Sequence, residues 1–490
     1  MQNRVGRSLG AMALLAAMAS GAEAADFDLR SGIDIFTRSQ TRMTGLHSLT
    51  FSVDIGDGFY FGESAYSAAL GDAGGLFIGG FEAFKRIPLG DSSSIDIGGF
   101  VGGGGGASLI SGDGLMTKAY ATFNQQFAGG FVAHIGTGWT KITGSAIDSP
   151  IFTFGLSHSF DLAADVGHTD ARPPSGLTAA SAKAVGLYYM PISSSRRSGG
   201  GEMDPMGLVG GEFTYRDLSN PHWEYVFTAV AAGINDGSGY AEWTAGARYL
   251  TDSFLGGHLR GFVDAGVGFA GGGEVDTGSG LVGKVSAGLD AKVWGGMHLE
   301  AGAMGIAAYD GDFRAVGAFL RGAYRFDEPV RSGGSDTGGH AQHWRVATGL
   351  TYEFSHPGFR PPGHWATGSD LILIETFADL MLGKHFYVTG GGATVAGGNA
   401  GGFAIGMVGL GYQMDLGPNW ALSGELIGGA AAGGGINTSP GVIGGGRVEL
   451  DYKLTDNLSL SAGVGKWVSK GGAAPITLHA GIKIPFTSYH

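Results

Sequence analysis

The chain has 490 residues, 96 of them Gly, no Cys, 15% charged residues and a formal net charge of −13 at pH 7. The Gly follows no every-third-residue period, which excludes collagen, and long alternating segments exclude a disordered chain. Without Cys there is neither a disulfide nor thiolate chemistry, and the acidic balance disfavours nucleic acid and offers no basic patch for anionic lipid head groups.

Met1 to Ala25 has the parts of a secretory signal peptide: Arg4 and Arg7, an apolar run around Met12 to Met18, and Ala22-Glu23-Ala24 as a small-residue cleavage site. Cleavage would leave Ala25 or Asp26 first; losing Arg4, Arg7 and Glu23 removes two positive charges and one negative, taking −13 to −14. Beyond this point there is no 18-residue apolar run, so a helical span is not expected, and export without one points to the periplasm or the outer membrane.

The first strand is predicted over Phe27 to Arg38, with Phe27, Leu29, Ile33 and Ile35 on one face and Asp28, Arg30, Asp34 and Arg38 on the other. Ser48 to Ile55 repeats the alternation, and Asp57-Gly58 after it is hairpin chemistry, since both residues tolerate positive φ. Further strands are predicted at 59–69, 75–87, 93–104, 114–126, 130–141 and 150–160, which makes eight, with tight even-numbered and mostly longer odd-numbered connections. Asp161 to Lys183, with Pro173-Pro174, then reads as a linker.

The plan recurs twice. Gly99-Phe100-Val101, Gly261-Phe262-Val263 and Gly424-Glu425-Leu426 each open a Gly-rich fifth strand at nearly constant spacing, which marks an internal triplication. The predicted organisation is a signal peptide at 1–25, repeat one at 26–160, a linker at 161–183, repeat two at 184–326, a linker at 327–342 and repeat three at 343–490. Eight strands three times gives 24.

The last strand, Ile476 to Phe486, puts Ile476, Leu478, Ala480, Ile482, Ile484 and Phe486 on one face and Thr477, His479, Gly481, Lys483 and Pro485 on the other. Its length suits a transmembrane β-strand, which needs roughly 9 to 11 residues. His479-x-Gly481-x-x-Ile484-x-Phe486 resembles the C-terminal assembly signal of bacterial outer-membrane β-barrels, although Thr487 to His490 follow where that family usually stops. Glu449 to Leu460 resembles the seam between the last hairpins of small eight-stranded barrels of this kind. The resemblance implies an all-β, transmembrane, antiparallel up-and-down barrel in a Gram-negative outer membrane, delivered by the barrel assembly machinery and carrying no cofactor.

Closure is mandatory, because an open sheet edge in hydrocarbon leaves backbone groups unpaired. Three tandem eight-stranded barrels are preferred over the alternative, one 24-stranded ring, because the linkers of about 23 and 16 residues exceed what neighbouring strands need. Each repeat also ends on a Gly-then-aromatic strand. The inward faces carry mixed charge: Arg30, Asp34, Asp54, Glu82, Arg86, Asp96 and Lys118 in repeat one; Glu224, Glu242, Arg248, Arg260, Asp264, Lys284, Asp290 and Lys292 in repeat two; Arg345, Glu353, Glu375, Arg447, Glu449, Asp451 and Lys483 in repeat three. An eight-stranded interior is just wide enough for side chains to fill, and charges there must pair. In a single ring the same residues would line a wet wall. Trp139, Trp223, Trp243, Tyr249, Trp344 and Trp420, near strand ends, are expected in the interfacial girdles.

Catalytic and metal motifs fall short. Gly278-x-x-x-x-Gly283-Lys284 lacks the Ser or Thr of a phosphate loop and lies in a strand, Ser157-His158-Ser159 places each Ser on the opposite face from the His, and His340-x-x-His343 lacks further ligands. The expectation is therefore a non-enzymatic, structural or anchoring outer-membrane barrel, with a porin-like or export channel as the alternative and a lipid-modifying enzyme last. Expected partners are outer-membrane lipid and lipopolysaccharide, with room for an unidentified surface or periplasmic protein.

Overall fold

The computed structural model describes residues 26 to 489, apart from 39–40, 72, 107–111, 128–129, 162–163, 167–177, 218–219, 236, 238, 295, 326–340, 440 and 456–457. The predicted signal peptide, Phe326 and His340 lie outside the described residues.

The first unit comprises β1 (Asp26–Phe36), β2 (Met43–Asp54), β3 (Phe59–Gly71), β4 (Phe77–Pro88), β5 (Ser93–Gly105), β6 (Met116–Gln126), β7 (Phe131–Ile142) and β8 (Asp148–Asp161), followed by a short β9 (Ala164–Val166). The second comprises β10 (Thr178–Pro191), β11 (Met206–Asp217), β12 (Trp223–Asn235), β13 (Ala241–Leu250), β14 (Leu259–Gly271), β15 (Leu281–Trp294), β16 (Met297–Ala308) and β17 (Arg314–Arg325). The third comprises β18 (Ala341–Glu353), β19 (Leu371–Met381), β20 (Phe386–Gly397), β21 (Ala404–Asp415), β22 (Trp420–Ala432), β23 (Val442–Thr455), β24 (Leu458–Ser469) and β25 (Ile476–Tyr489).

Every ladder between consecutive strands of a unit is antiparallel, and each unit closes on itself: β1 pairs with β8, β10 with β17, and β18 with β25. The chain is thus three eight-stranded barrels, and the single ring is not what it forms. Closure within a repeat gives each terminal strand its partner inside about 150 residues of chain. β10 and β18 begin at Thr178 and Ala341, inside the two segments read as linkers: Thr178 to Ala180 pair with β11, and Ser181 to Lys183, Ala341 and Gln342 join the closing ladders.

Alternation decides which side chains go in. On β6, Met116, Lys118, Tyr120, Thr122 and Asn124 are buried, while Thr117, Ala119, Ala121 and Phe123 face outward. Outward Leu, Val, Ile and Phe form apolar belts, among them Ile97, Ile135, Leu156, Val263, Val285, Leu289, Leu410 and Val464. Connections at one end of the barrels are mostly longer, reaching 17 residues at 354–370, and those at the other are mostly shorter, as at 55–58 and 416–419. By the outer-membrane asymmetry the longer loops are external and the shorter turns periplasmic. In the 55–58 turn Asp57 and Gly58 both have positive φ, 53° and 70°. At the periplasmic ends Trp223 meets Tyr249 with ring centroids 5.4 Å apart, Trp344 stacks on Phe486 at 5.8 Å, and Trp420 meets Tyr452 at 4.7 Å. Trp139 is exposed near the external end. Trp243 is a correction: it is buried against Phe269 of its own barrel and His47 of the first, at a seam rather than in a girdle.

The barrels touch pairwise, and the closest approaches are made by backbone at Gly-rich external ends. Gly74 N–H donates to the Gly278 carbonyl at 3.1 Å, and Gly402 N–H to the Gly104 carbonyl at 2.9 Å. A Cβ on Gly103 would stand 2.4 Å from the Val395 carbonyl oxygen, and one on Gly75 would stand 2.2 Å from Gly272 N. The second and third barrels meet where Gly233 approaches Ala430 and Gly441 approaches Ala232.

Because each closing ladder lies within its own repeat, residues 341–490 exported alone are expected to fold, giving a protease-resistant, heat-modifiable band on electrophoresis. A fragment degraded in the periplasm would show that closure needs the other two barrels.

Candidate functional site

Two places in the molecule hold polar chemistry or enclosed space: the bores of the barrels, and a chamber between them. In the first bore Arg30 is paired with Asp96, and Arg86 donates to Asp96 at 3.0 and 3.1 Å and lies 3.6 Å from Asp28. Lys118 donates to Asp34 at 2.7 Å. Glu82 accepts from Ser64 at 2.6 Å, Tyr120 at 2.5 Å, and Thr50 and Tyr66 at 3.2 Å each. Asp54, expected in this set, instead stands at the periplasmic rim and caps the turn by accepting from Gly56 N–H at 2.8 Å. The strand ends there, so its carboxylate finds backbone donors rather than a cation.

The second bore is the most densely charged. Arg248 reaches Glu212 at 2.7 Å, Asp264 at 2.9 Å and Glu300 at 3.3 Å, while Lys183 reaches Glu300 at 2.7 Å and Glu212 at 3.0 Å. Arg321 closes the cluster on Glu212 at 3.2 Å and Glu300 at 3.3 Å. Lys284 pairs with Glu242 at 2.7 Å, and Glu242 also accepts from Tyr189 at 2.8 Å and Tyr240 at 2.9 Å. Asp290 is held by Arg325 and His298, each at 2.7 Å, and Arg260 lies opposite Asp290 in the β14–β15 ladder. In the third bore Arg447 pairs with Glu425, Lys483 bridges Glu449 at 2.7 Å and Asp451 at 2.8 Å, and Arg345 pairs with Asp379 at 2.7 Å.

Lys183, Glu212, Glu300, Arg321, Arg325, Asp379 and Glu425 were absent from the inward set read from sequence. Several carry a sequence signal: Arg321, Ala323 and Arg325 alternate with Leu320, Gly322 and Tyr324 in the closing strand. Lys183 was hidden by its assignment to a linker.

Arg248 and Arg321 are 0% and 2% exposed, so the middle of the second bore is filled by side chains. Toward the external end each bore is further stopped by apolar side chains: Met43, Leu46, Leu76 and Met116 in the first, Met206, Tyr240 and Phe313 in the second, Phe359, Leu371 and Phe403 in the third. These plugs were not foreseen. They arise because apolar side chains follow or end the external connections: Met43, Met116, Met206 and Leu371 open strands, and Leu76, Tyr240, Phe313 and Phe403 immediately precede them.

The C-terminal motif divides between the faces of β25. Ile484 and Phe486 face outward, and His479 faces in. Gly481 lies so close to Thr348 that a Cβ would stand 2.3 Å from its carbonyl oxygen. The residues beyond Phe486 continue the strand to Tyr489, pairing with β18 on one edge, while Phe486 to Ser488 receive β9 on the other. Within the bore His479 contacts Thr477 through Nε2 at 2.7 Å, and its Nδ1 lies 3.2 Å from Glu375 and 2.9 Å from Thr351. That line resembles a nucleophile, base and orienting acid, yet the adjoining cavity is only about 20 Å³, enough for about one water. Ser157 and Ser159 face into the first bore, Ser159 donating to Asp28 at 3.3 Å, while His158 packs outward on Phe131. Lys284, from the imperfect phosphate motif, is taken by Glu242.

The chamber lies where the outward faces of all three barrels meet. It measures about 3630 Å³, several times the roughly 300–1,000 Å³ of a small-molecule pocket, and is partly open. It runs from Gly75, Gly402 and Gly434 at the external loops to Trp294, Met297, Trp344 and Leu382 at the periplasmic ends. At its external mouth stands His364, held below its ordinary pKa by burial and by the nearby Arg360. Arg360 pins that loop by donating to the carbonyls of Gly398 at 2.8 Å and Gly434 at 2.9 Å.

No family model and no curated protein matches the chain. Among solved structures it is similar to the outer membrane protein OpdK from Pseudomonas aeruginosa, at 12% identity over 94% of this chain and 98% of that one, with a TM-score of 0.22. A BenF-like porin from Pseudomonas fluorescens Pf-5 gives 12% identity over 95% and 98%, with a TM-score of 0.23. The siderophore receptor PirA from Pseudomonas aeruginosa gives 9% over 95% and 80%, with a TM-score of 0.27. At these scores the similarity carries no detail of the arrangement. The closed ladders, the outward apolar belts and the periplasmic girdle stand on this chain's own residues, and they make it an integral outer-membrane β-barrel protein.

Breaking the second bore's cluster from one side leaves buried charge without a partner, which costs about 3–5 kcal/mol. Arg248→Met is therefore expected to lower the urea midpoint of the folded band well below that of wild type. Lys141→Ala, at the exposed pair with Asp148, is expected to change it by no more than about 1 kcal/mol. Equal effects would show that the cluster is solvated.

Proposed function

We propose that this outer-membrane β-barrel protein is a non-catalytic, structural body whose bores do not conduct solute. The observation that carries the reading is the double seal of each bore, buried ion pairs at mid-height and an apolar plug on the external side. A conducting pore needs water-lined walls, whereas here Arg248, Lys183 and Arg321 are consumed by carboxylates on neighbouring strands. With Thr477, His479 and Glu375 beside a one-water cavity, the polar set closest to a catalytic geometry has no room for a substrate.

A second reading, a channel, is supported by the chamber. In that reading the path runs between the barrels and not through any of them, so it keeps the transport role of a wide ring without the ring.

Reconstitution into a planar bilayer separates the two. Wild-type protein is expected to give no resolved conductance steps. Steps that vanish when Gly322→Phe and Gly406→Phe fill the chamber would favour the channel. Steps unchanged by those substitutions would mean that a bore conducts, overturning the sealed-bore reading.

A further inference from the structure

The chamber's walls at membrane height are the outward faces of strands from all three barrels, represented by Ala65, Ala184, Val209, Leu320, Val388 and Val408. Lys183, Glu212 and Glu242 adjoin it, but their side chains turn into the second bore and are paired there. The charged side chains Arg42, Asp113, Arg197, Glu274 and Asp276 lie at the external mouth, in loops. A space of about 3630 Å³ with such walls cannot stay empty in a bilayer, and water inside it would face apolar surface through most of its height. Hydrocarbon is the filling that matches the walls.

The direction of entry follows from where the barrels touch. The backbone contacts are external: Gly74 with Gly278, Gly104 with Gly402, and Gly441 with Ala232. They draw the barrels together at that end, beneath the loops. The periplasmic rim of the chamber is instead bordered by Trp294, Met297, Trp344 and Leu382, the side-chain types that meet lipid head groups and upper acyl chains. We propose that the chamber is a lipid site, holding the acyl chains of phospholipid that enters from the periplasmic leaflet. The lipid then completes the apolar packing among three barrels whose main-chain contacts lie at the external end. This inference goes beyond the sealed-bore reading and does not depend on it.

Gly322 and Gly406 test the idea without strain, because a Cβ at either position meets nothing within 4 Å and both line the chamber. The full chain, extracted from outer membranes in a mild maltoside detergent, would be measured by native mass spectrometry and lipid extraction. Retained diacyl phospholipid in whole-number stoichiometry is expected, falling at least fivefold in the Gly322→Phe, Gly406→Phe double variant with heat-modifiable mobility unchanged. Retention of a lipopolysaccharide-type lipid, no retention, or retention unaffected by the double variant would each overturn the proposal. Should the double variant fail to fold, single thiols placed by Gly322→Cys or Gly406→Cys in this Cys-free chain give a second reading. They are expected to resist a charged, membrane-impermeant thiol reagent in intact outer membranes, and fast labelling would mean a water-filled chamber.

Discussion

The structure depends on one requirement, that every backbone N–H and C=O at membrane depth has a partner within the protein. An antiparallel sheet meets it only by closing, and here the first strand of each repeat pairs with the eighth of the same repeat. Closure at eight strands fixes the bore at the width of its own side chains. The contents of the bores follow: a charge placed there has no water to solvate it and must find a counter-charge across the barrel. In the second bore the carboxylates of Glu212 and Glu300 are each shared among Lys183, Arg248 and Arg321. Three separate strands of cations held by two strands of carboxylates tie the wall together from inside, in addition to the ladders that tie it together edge to edge.

The same requirement shapes how the barrels meet. Since no ladder is left open, the barrels cannot join by strand pairing along their lengths, and side-by-side contact relies on close approach. Glycine supplies it at the external ends, where Gly74, Gly103, Gly104 and Gly402 bring main chain against main chain. Below that level the contact is made by side chains, as where Trp243 and Phe269 of the second barrel enclose His47 of the first, at ring centroid distances of 4.8 and 4.6 Å. The small exception to full edge closure is the end of β25, which outruns β24 at its periplasmic end. There β9, on the chain leaving the first barrel, covers the exposed edge of the third.

How much of this was legible depended on which face a residue served. The inward charges stand out against a period-two background because burial in a narrow bore tolerates them only in pairs, and Arg30, Asp96, Arg248, Asp264, Arg447 and Lys483 lie on inward faces with partners there. The triplication and the threefold closure were legible from recurring turns and from the length of the connections. The seams were not. An outward Ala, Val or Trp reads the same whether hydrocarbon or another barrel covers it, so Trp243 passed for a girdle residue and the chamber had no signature. The plugs carry no period-two signature for a related reason: Met116 opens β6 in register, and Phe313 lies in the connection before β17, where an apolar residue reads as part of a loop.

The division between sealed bores and an open centre also bears on some of the glycines. A barrel that only had to fill its bore and face lipid would carry larger outward side chains, which bury more apolar surface. Here Gly211, Gly322, Gly390 and Gly406 are outward and border the chamber, while Gly74, Gly103 and Gly441 are at the contacts. Adding side chains at the second group would drive the barrels apart, since a Cβ on Gly74 or Gly103 falls within 2.7 Å of a neighbouring barrel. Adding them at the first would fill the centre at no steric cost to the strands. Glycine at the contacts is thus accounted for by packing, whereas at Gly322 and Gly406 packing makes no demand, and the space those residues leave is what a flexible acyl chain can use.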